Sequence, residues 1–350
     1  QAGNRIGNPD LSPEITTSWE VGMELGLLDD RLTFDVSYFN SVSDDQIIDV
    51  EVPRSTGYST ITTNAGKITN RGIELLATGT PIVLSNGFKW EVTGTFTKID
   101  NNVDEIFGEN EQVAIGRAGF VSTQNVAQVG FSYPAIFGRN FERSPSGDIV
   151  VNPTTGIPEL ADPNAFAEVI PDWQAGLRNT FSYKGISLSV FFEQRHGGSI
   201  YSLTAAHFRV NGFGEETLLG RDGGVVFNGV NEVANTDGSV SYVPNATSVS
   251  NEDFWSNHSL FGASELGLLD ASFIKLRELA IGYSLPQSIL EKTPFGNVDF
   301  SIVGRNLWMS TKNPYIDPEV SGFSNADNQG YETAQLPTAK TWGFNLKLTL

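Results

Sequence analysis

Three histidines, His196, His207 and His258, and no cysteine are what this 350-residue chain offers toward nucleophilic or metal chemistry. The histidines are far apart, so thiolate chemistry and disulfides are excluded and a zinc or haem site would lack most of its usual ligands. Gly-x-Ser-x-Gly, the P-loop and the dinucleotide fingerprint are all missing, and no Ser, His and Asp spacing reads as a triad. A partial calcium-loop pattern at Asn325, Asp327, Gln329 and Gly330 has Leu336 where a bidentate Glu belongs. Neither catalysis nor a cofactor is expected. What remains is recognition chemistry. Tyr201, Phe208, Phe213, Phe227, Tyr242, Phe254, Trp255 and Phe261 stud one stretch, and Phe107, Phe120, Phe131, Tyr133, Phe137 and Phe141 another. Aromatic faces stack on sugar rings or fill partner pockets, and Tyr133, Tyr201, Phe254 and Trp255 are the candidates for such contact. The competing expectation is that these rings form small cores, because so much apolar surface needs burial.

The net charge of −19 and the absence of a Lys/Arg cluster argue against a phosphate-binding surface, so nucleic acid is not an expected partner. No run reaches the roughly 18 apolar residues of a membrane-crossing helix, which leaves strands as the way to span a bilayer. The opening "QAGNRIGNPD" has neither a starting Met nor a basic-then-apolar leader, so the chain reads as mature or internal sequence.

The elements that must position these residues are strands. In "TTSWEVGMELGLLDDRLTFDVSYFN", Trp19, Val21, Met23, Leu25 and Leu27 share one face, and after Asp29 and Asp30 the period resumes with Leu32, Phe34, Val36 and Tyr38. The same period predicts strands over 14–28, 31–48, 67–80, 87–101, 173–184, 186–198, 272–285, 297–309 and 340–350. In 272–285 neither face is wholly apolar, which predicts a bulge.

Short connections at 29–30, 81–86, 184–185 and 286–296 alternate with long ones at 49–66, 102–172, 199–271 and 310–339. Most strands reach the roughly 9 to 11 residues that cross a bilayer, against about 5 to 6 in soluble sheets. Trp19, Trp90, Trp173, Trp308 and Trp342 fall near strand ends, as do Tyr38, Tyr183 and Tyr283, where interfacial girdles sit. The pattern predicts an all-β, antiparallel up-and-down transmembrane barrel, with a soluble sandwich or solenoid as the alternative. Nine strands cannot close a single-chain bacterial barrel, which uses even numbers, so further strands are expected from elsewhere. On such a wall Asp270, Lys275, Arg277, Glu278 and Arg305 would line a hydrated lumen, with Arg277 and Arg305 candidates to touch a plug. Gly66 and Gly72 are expected at positive φ or at a bulge.

Several stretches occur in an order that resembles the SusC/RagA family of TonB-dependent outer-membrane transporters of Bacteroidetes. They are "NPDLSPEITTSWEVG", "DDRLTFDVSYFN", "NAGKITNRGIEL", "VGFSYPAIFG" with its Gly-x-x-Tyr-Pro segment, "IPDWQAGLRNTFSYKGISLSVFFEQRHGGSIY", "LLDASFIKLRELAIGYSLP", "SIVGRNLWMSTKNPYIDPE" and "LPTAKTWGFNLKLTL". One departure is Leu350, where family members end in an aromatic. The resemblance implies the C-terminal part of a 22-stranded barrel, with a plug and TonB box lying outside this sequence. It further implies a SusD-like lipoprotein lid, TonB and outer-membrane lipid as partners, and a glycan or peptide as the imported substrate. An outer-membrane barrel hydrolase and a soluble sugar-binding β-protein are the alternatives from other classes.

Overall fold

Side chains alternate across a strand, so an unbroken apolar/polar alternation gives a sheet one chemistry on each side. In the computed structural model, which describes residues 5–52, 54–64, 66–106, 111–117, 123–258, 262–320, 322 and 326–350, nine strands do this. They are β1 (Ile15–Leu27), β2 (Leu32–Asp44), β3 (Gly66–Val83), β4 (Lys89–Ile106), β5 (Trp173–Tyr183), β6 (Ile186–His196), β7 (Phe273–Ser284), β8 (Asn297–Thr311) and β9 (Thr341–Thr349). They pair in chain order in one sheet, each antiparallel to its predecessor.

All nine predicted strands are present, and the largest differences in their ends are in β2, β3 and β4. The β3–β4 ladder continues from Asn70–Asn101 to Gly66–Ile106, past the point where the alternation stops, so each strand runs 18 residues. By contrast β2 stops at Asp44, because Asp45 takes φ 57° and redirects the chain. Ile47–Glu51 then joins Thr60–Asn64 and Arg5–Ile6 in a separate three-stranded sheet.

Register keeps the apolar sides together. Leu25 lies opposite Phe34, Phe34 opposite Ala77, Gly94 opposite Leu177, Leu177 opposite Phe192, Leu276 opposite Trp308 and Ile302 opposite Phe344. A one-residue slip anywhere would move a strand's whole apolar set to the other face. No second layer covers this surface among the described residues: Val21 is 66% exposed and Phe344 73%. The sandwich alternative is corrected by that exposure, since its apolar face would be packed. Trp19 tilts against Tyr38 at 5.4 Å, and Trp173, Trp308 and Trp342 also lie toward the long-connection end. Trp90 stacks on Phe181 at 5.9 Å at the other end, near Tyr183 and Tyr283. From Trp19 to Leu27 the strand runs about 27 Å, or about 20 Å after tilting by ~40°, close to the band a thin outer membrane needs.

The bulge predicted in β7 is present. Pairing with β8 jumps between Leu276 and Glu278, and pairing with β6 shifts at Phe191/Phe192, leaving Arg277 outside the ladder. The expectation for Gly72 is corrected. Its φ is not positive; a Cβ there would sit 2.6 Å from the Lys98 carbonyl oxygen and 2.7 Å from the Phe39 ring, so glycine is needed for close approach. Gly66 likewise has no positive φ, and opens β3 beside the register shift at Lys67/Ile68.

The long connections carry structure of their own. The second holds a four-stranded sheet of Gln112–Arg117, Gln124–Gln128, Ala135–Gly138 and Asn164–Glu168. The third holds a strand (Ser199–Ser202), helix α1 (Leu203–Val210), a hairpin of Val230–Ala234 with Val240–Pro244, and helix α2 (Asn251–His258). In the fourth, Tyr331–Glu332 pairs in parallel with Ser199–Ser202. Ile136, Ala167, Val169, Tyr201 and Tyr331 form a core drawn from all three of these connections.

Candidate functional site

The polar face of the sheet and the loop cluster meet at β6–β8. Arg178 on β5 and Arg305 on β8 hold the Glu278 carboxylate between them, at 2.9 and 3.3 Å. The bulge turns Arg277 onto Glu193 of β6 at 2.5 Å and onto Glu319 of the fourth long connection at 2.7 Å. Arg305 remains open to solvent, with 64% of its side chain exposed, whereas Arg277 is largely covered at 14%. Both lie on the polar face, where the sequence places them.

Lys275 departs from expectation. Instead of standing hydrated in the lumen it is 1% exposed, with its ammonium 2.7 Å from Asp317 and 2.6 Å from Glu319. The correction has a plain cause: residues after β8 fold back over this part of the wall. Burial opposes ionisation of Asp317, but hydrogen bonds from Lys275 and Thr338 outweigh it and hold the carboxyl below its usual value. Glu319 is held down in the same way, with Arg277 and Lys275 overcoming burial. Asp270 sits at the loop edge, where bonds from Ser272 and Lys312 overcome burial and bring it to about 2.

The same returning segment is fastened at its far end. Glu332 is 2% exposed and accepts from Ser202 Oγ at 2.6 Å, Thr204 Oγ1 at 2.7 Å and Thr204 N at 3.2 Å. Ser202 is the N-cap of α1 and bonds the Ala205 amide, so Glu332 completes the cap of that helix.

Of the candidate contact residues, Tyr201 and Phe254 are enclosed by this chain's own loops. Tyr201 is 2% exposed against Tyr331, with centroids 5.8 Å apart. Phe254 is 6% exposed, stacks on Phe227 at 5.4 Å and meets Trp255 edge-on at 5.0 Å. Phe227 reaches Phe141 at 6.0 Å, which joins the second and third connections through one aromatic row. Trp255 is half-buried. Tyr133 is also half-buried: its hydroxyl donates to Asp327 at 2.8 Å, and burial followed by that bond raises its pKa. Asp327, from the partial calcium pattern, is thus engaged by Tyr133, and its carbonyl accepts from Asn125 at 2.8 Å. Phe107, Phe120, Phe261 and Asn325 lie outside the described residues.

Sequence reasoning did not single out Asp317, Glu319, Glu332 or Asn313. The first two lie within "NPYIDPE", a stretch that carries the family resemblance, but nothing local shows that they answer Lys275 and Arg277 about 40 residues earlier.

The family described as TonB dependent receptor-like, beta-barrel, matches residues 1–250. TonB-dependent receptor P26 of Formosa agariphila is 24% identical over 378 aligned positions, covering 99% of this chain and 35% of the relative. TonB-dependent receptor SusC of Bacteroides thetaiotaomicron is 23% identical, covering 97% of this chain and 32% of the relative. The chain therefore spans about a third of the length of the curated relatives it matches. Among solved structures, the RagAB peptide importer in the closed-closed state superimposes with a TM-score of 0.70 at 20% identity, covering 97% of this chain and 36% of that one. The RagAB peptide transporter gives 0.69, also at 20% identity, over 98% of this chain and 36% of that one. With an unlayered apolar face, a polar face and a folded loop cluster in place, the chain belongs to the TonB-dependent receptor-like β-barrel family, in which its SusC/RagA resemblance stands.

Proposed function

We propose that this chain forms part of the wall and outer loops of an outer-membrane importer of peptides or glycans, energised through TonB and working with a SusD-like lipoprotein. The observation that carries the reading is the apolar face, in register across nine strands and left without a second layer. In hydrocarbon such a face is satisfied by acyl chains, while the opposite face lines a wet interior. The edge strands β1 and β9 are exposed along their whole length, and an open edge in lipid would leave N–H and C=O groups unsatisfied. Strands outside this chain close the wall. The RagAB neighbours are named as peptide importers, which supports the peptide class by likeness, while the glycan class and the lipoprotein come from the SusC/RagA resemblance.

On this reading the protein does no bond chemistry. The loop cluster offers a folded platform for ligand and lipoprotein, and the ion network on β5–β8 stiffens the wall beneath it. TonB acts through a part of the protein outside this chain. The test is growth of a deletion strain on defined peptides or oligosaccharides as sole nutrient, with and without a functional TonB. Loss of TonB-dependent growth on either class, restored by the full-length gene, is the expected result. Recovery of the protein in the soluble periplasmic fraction without detergent would end the proposal.

A further inference from the structure

The apolar face of the wall is nearly free of charge. From the row of Tyr38 down to the short turns, Lys98 on β4 is the one Lys, Arg, Asp or Glu that register places on that face among the described residues. Tyr38 lies opposite Ile73, and Ile73 lies opposite Lys98. One row nearer the long connections, Trp19 lies opposite Asn40, Asn40 opposite Arg71 and Arg71 opposite Asp100. Two cations on neighbouring strands thus stand level with the Trp19–Tyr38 aromatic pair, and on their other flank Trp173 meets Phe96 at 5.9 Å.

These charges are not all answered within the chain. Arg71 gives Nε and Nη2 to one Asp100 oxygen, at 2.8 and 2.6 Å, which occupies that carboxylate. Asp104 stands six residues beyond Lys98, roughly 20 Å along the strand, and accepts from Thr69 and Asn102. Lys98 is exposed, and its ammonium has no ion pair or hydrogen bond among the described residues. An unanswered ammonium at the edge of hydrocarbon is costly, and a lysine relieves the cost by laying its stem on apolar neighbours and lifting its head to the phosphate level. Charge therefore selects the occupant: two cations against Asp100 leave one positive charge over, which an anionic lipid head answers and a zwitterionic head, neutral as a whole, does not.

We propose that Lys98, with Arg71 beside it, seats the phosphate headgroup of an outer-leaflet lipid whose acyl chains run down the apolar face past Ile73, Leu75 and Phe96. The ammonium supplies one charge-assisted hydrogen bond, and Arg71 has Nη1 left over for a second. The seat rests on the outer-membrane reading above and adds to it the class of lipid bound.

The experiment mixes the full-length protein, in a non-ionic detergent, with dioleoylphosphatidic acid or dioleoylphosphatidylcholine and counts retained lipid by native mass spectrometry. Phosphatidic acid is retained in preference to phosphatidylcholine. Lys98→Gln lowers its retention about 5-fold, the loss expected for one cation beside an anionic head, and Lys98→Arg keeps it. Asp100→Asn raises it, because Arg71 is released; a pair that only braced the strands would give no such gain. Lys347→Gln, which removes the same charge from the polar face opposite Asp299, leaves it unchanged. Thermal unfolding shows that each variant is folded. Equal retention of the two lipids, unchanged retention in Lys98→Gln, or an equal loss in Lys347→Gln overturns the seat. Full displacement by inorganic phosphate at the concentration of the lipid also overturns it, marking a site for free anions. The import reading fails on a separate readout, the absence of TonB-dependent growth in cells.

Discussion

Lys275 and Asp317 form a buried ion pair at 2.7 Å that ties the fourth long connection to wall strand β7, with 2% and 1% of their side chains exposed. Glu319 adds a second carboxylate to the same ammonium and passes its charge on to Arg277. Removing the cation alone leaves the buried Asp317 carboxylate without its counter-charge, next to the partly exposed Glu319. Lys275→Met is therefore expected to destabilise the loop cluster by about 3–5 kcal/mol, whereas Lys275→Met combined with Asp317→Leu costs less than either single change. Thermal unfolding in detergent, read as a double-mutant cycle, measures the coupling; additive effects would show that the pair acts on nothing shared.

The pH dependence has a definite sign. Asp317 has a folded pKa below its unfolded value, so its stabilising contribution is present above the unfolded value and is lost as pH falls through the folded one. Residues 312–320 and 326–340 are thus expected to resist protease from neutral pH down through the ordinary carboxylate range and to become cleavable only below it. Limited proteolysis across pH, with Asp317→Asn as the control that has lost this dependence, checks the direction.

Glu332 holds the N-terminus of α1 through hydroxyl and amide donors, with no ion pair among the described residues. Glu332→Ala is expected to strand several buried donors and cost about 2–3 kcal/mol locally. Faster hydrogen exchange over residues 203–210, with the wall strands unchanged, is the expected signature.

The two faces of β9 make opposite demands. Leu346 lies opposite Phe300 on the apolar face, and Asn345 lies opposite Ser301 on the polar one. Leu346→Arg is expected to cost about 2–4 kcal/mol in vesicle folding, while Asn345→Arg is tolerated. Equal costs would reverse the assignment of the faces.

Gly72→Ala is expected to disturb the wall although it adds one methyl group. The added carbon would meet the Lys98 carbonyl, which belongs to the paired strand and cannot rotate away. A cost of about 1–3 kcal/mol is expected. Phe39→Leu relieves only the ring contact, so it is expected to restore part of the loss in a thermal melt.

Much of the wall was legible because the information is local. Trp342, Phe344, Leu346 and Leu348 alternate with polar neighbours within nine residues, and that period alone sets strand type and face. The bulge at Arg277 was legible too, because a residue inserted relative to the neighbouring strand breaks the period where it stands. The loop cluster was far less legible. For Tyr201 and Phe254 the sequence left ligand contact and burial in a small core both open, because a loop has no period to say which side is inside; their burial comes against Tyr331 and Phe227.

The sequence by itself determined the nine strands and, outside β7, which side chains share a face, since a two-residue period is local and a short turn fixes the pairing of the two strands it joins. Tertiary structure alone decided that Lys275 is buried rather than hydrated, that Glu332 caps a helix 128 residues earlier, and that Asn313 is left with an unmet donor. Those outcomes depend on how the long connections fold back over the wall, and such closures are settled by packing among distant segments, which no local pattern records.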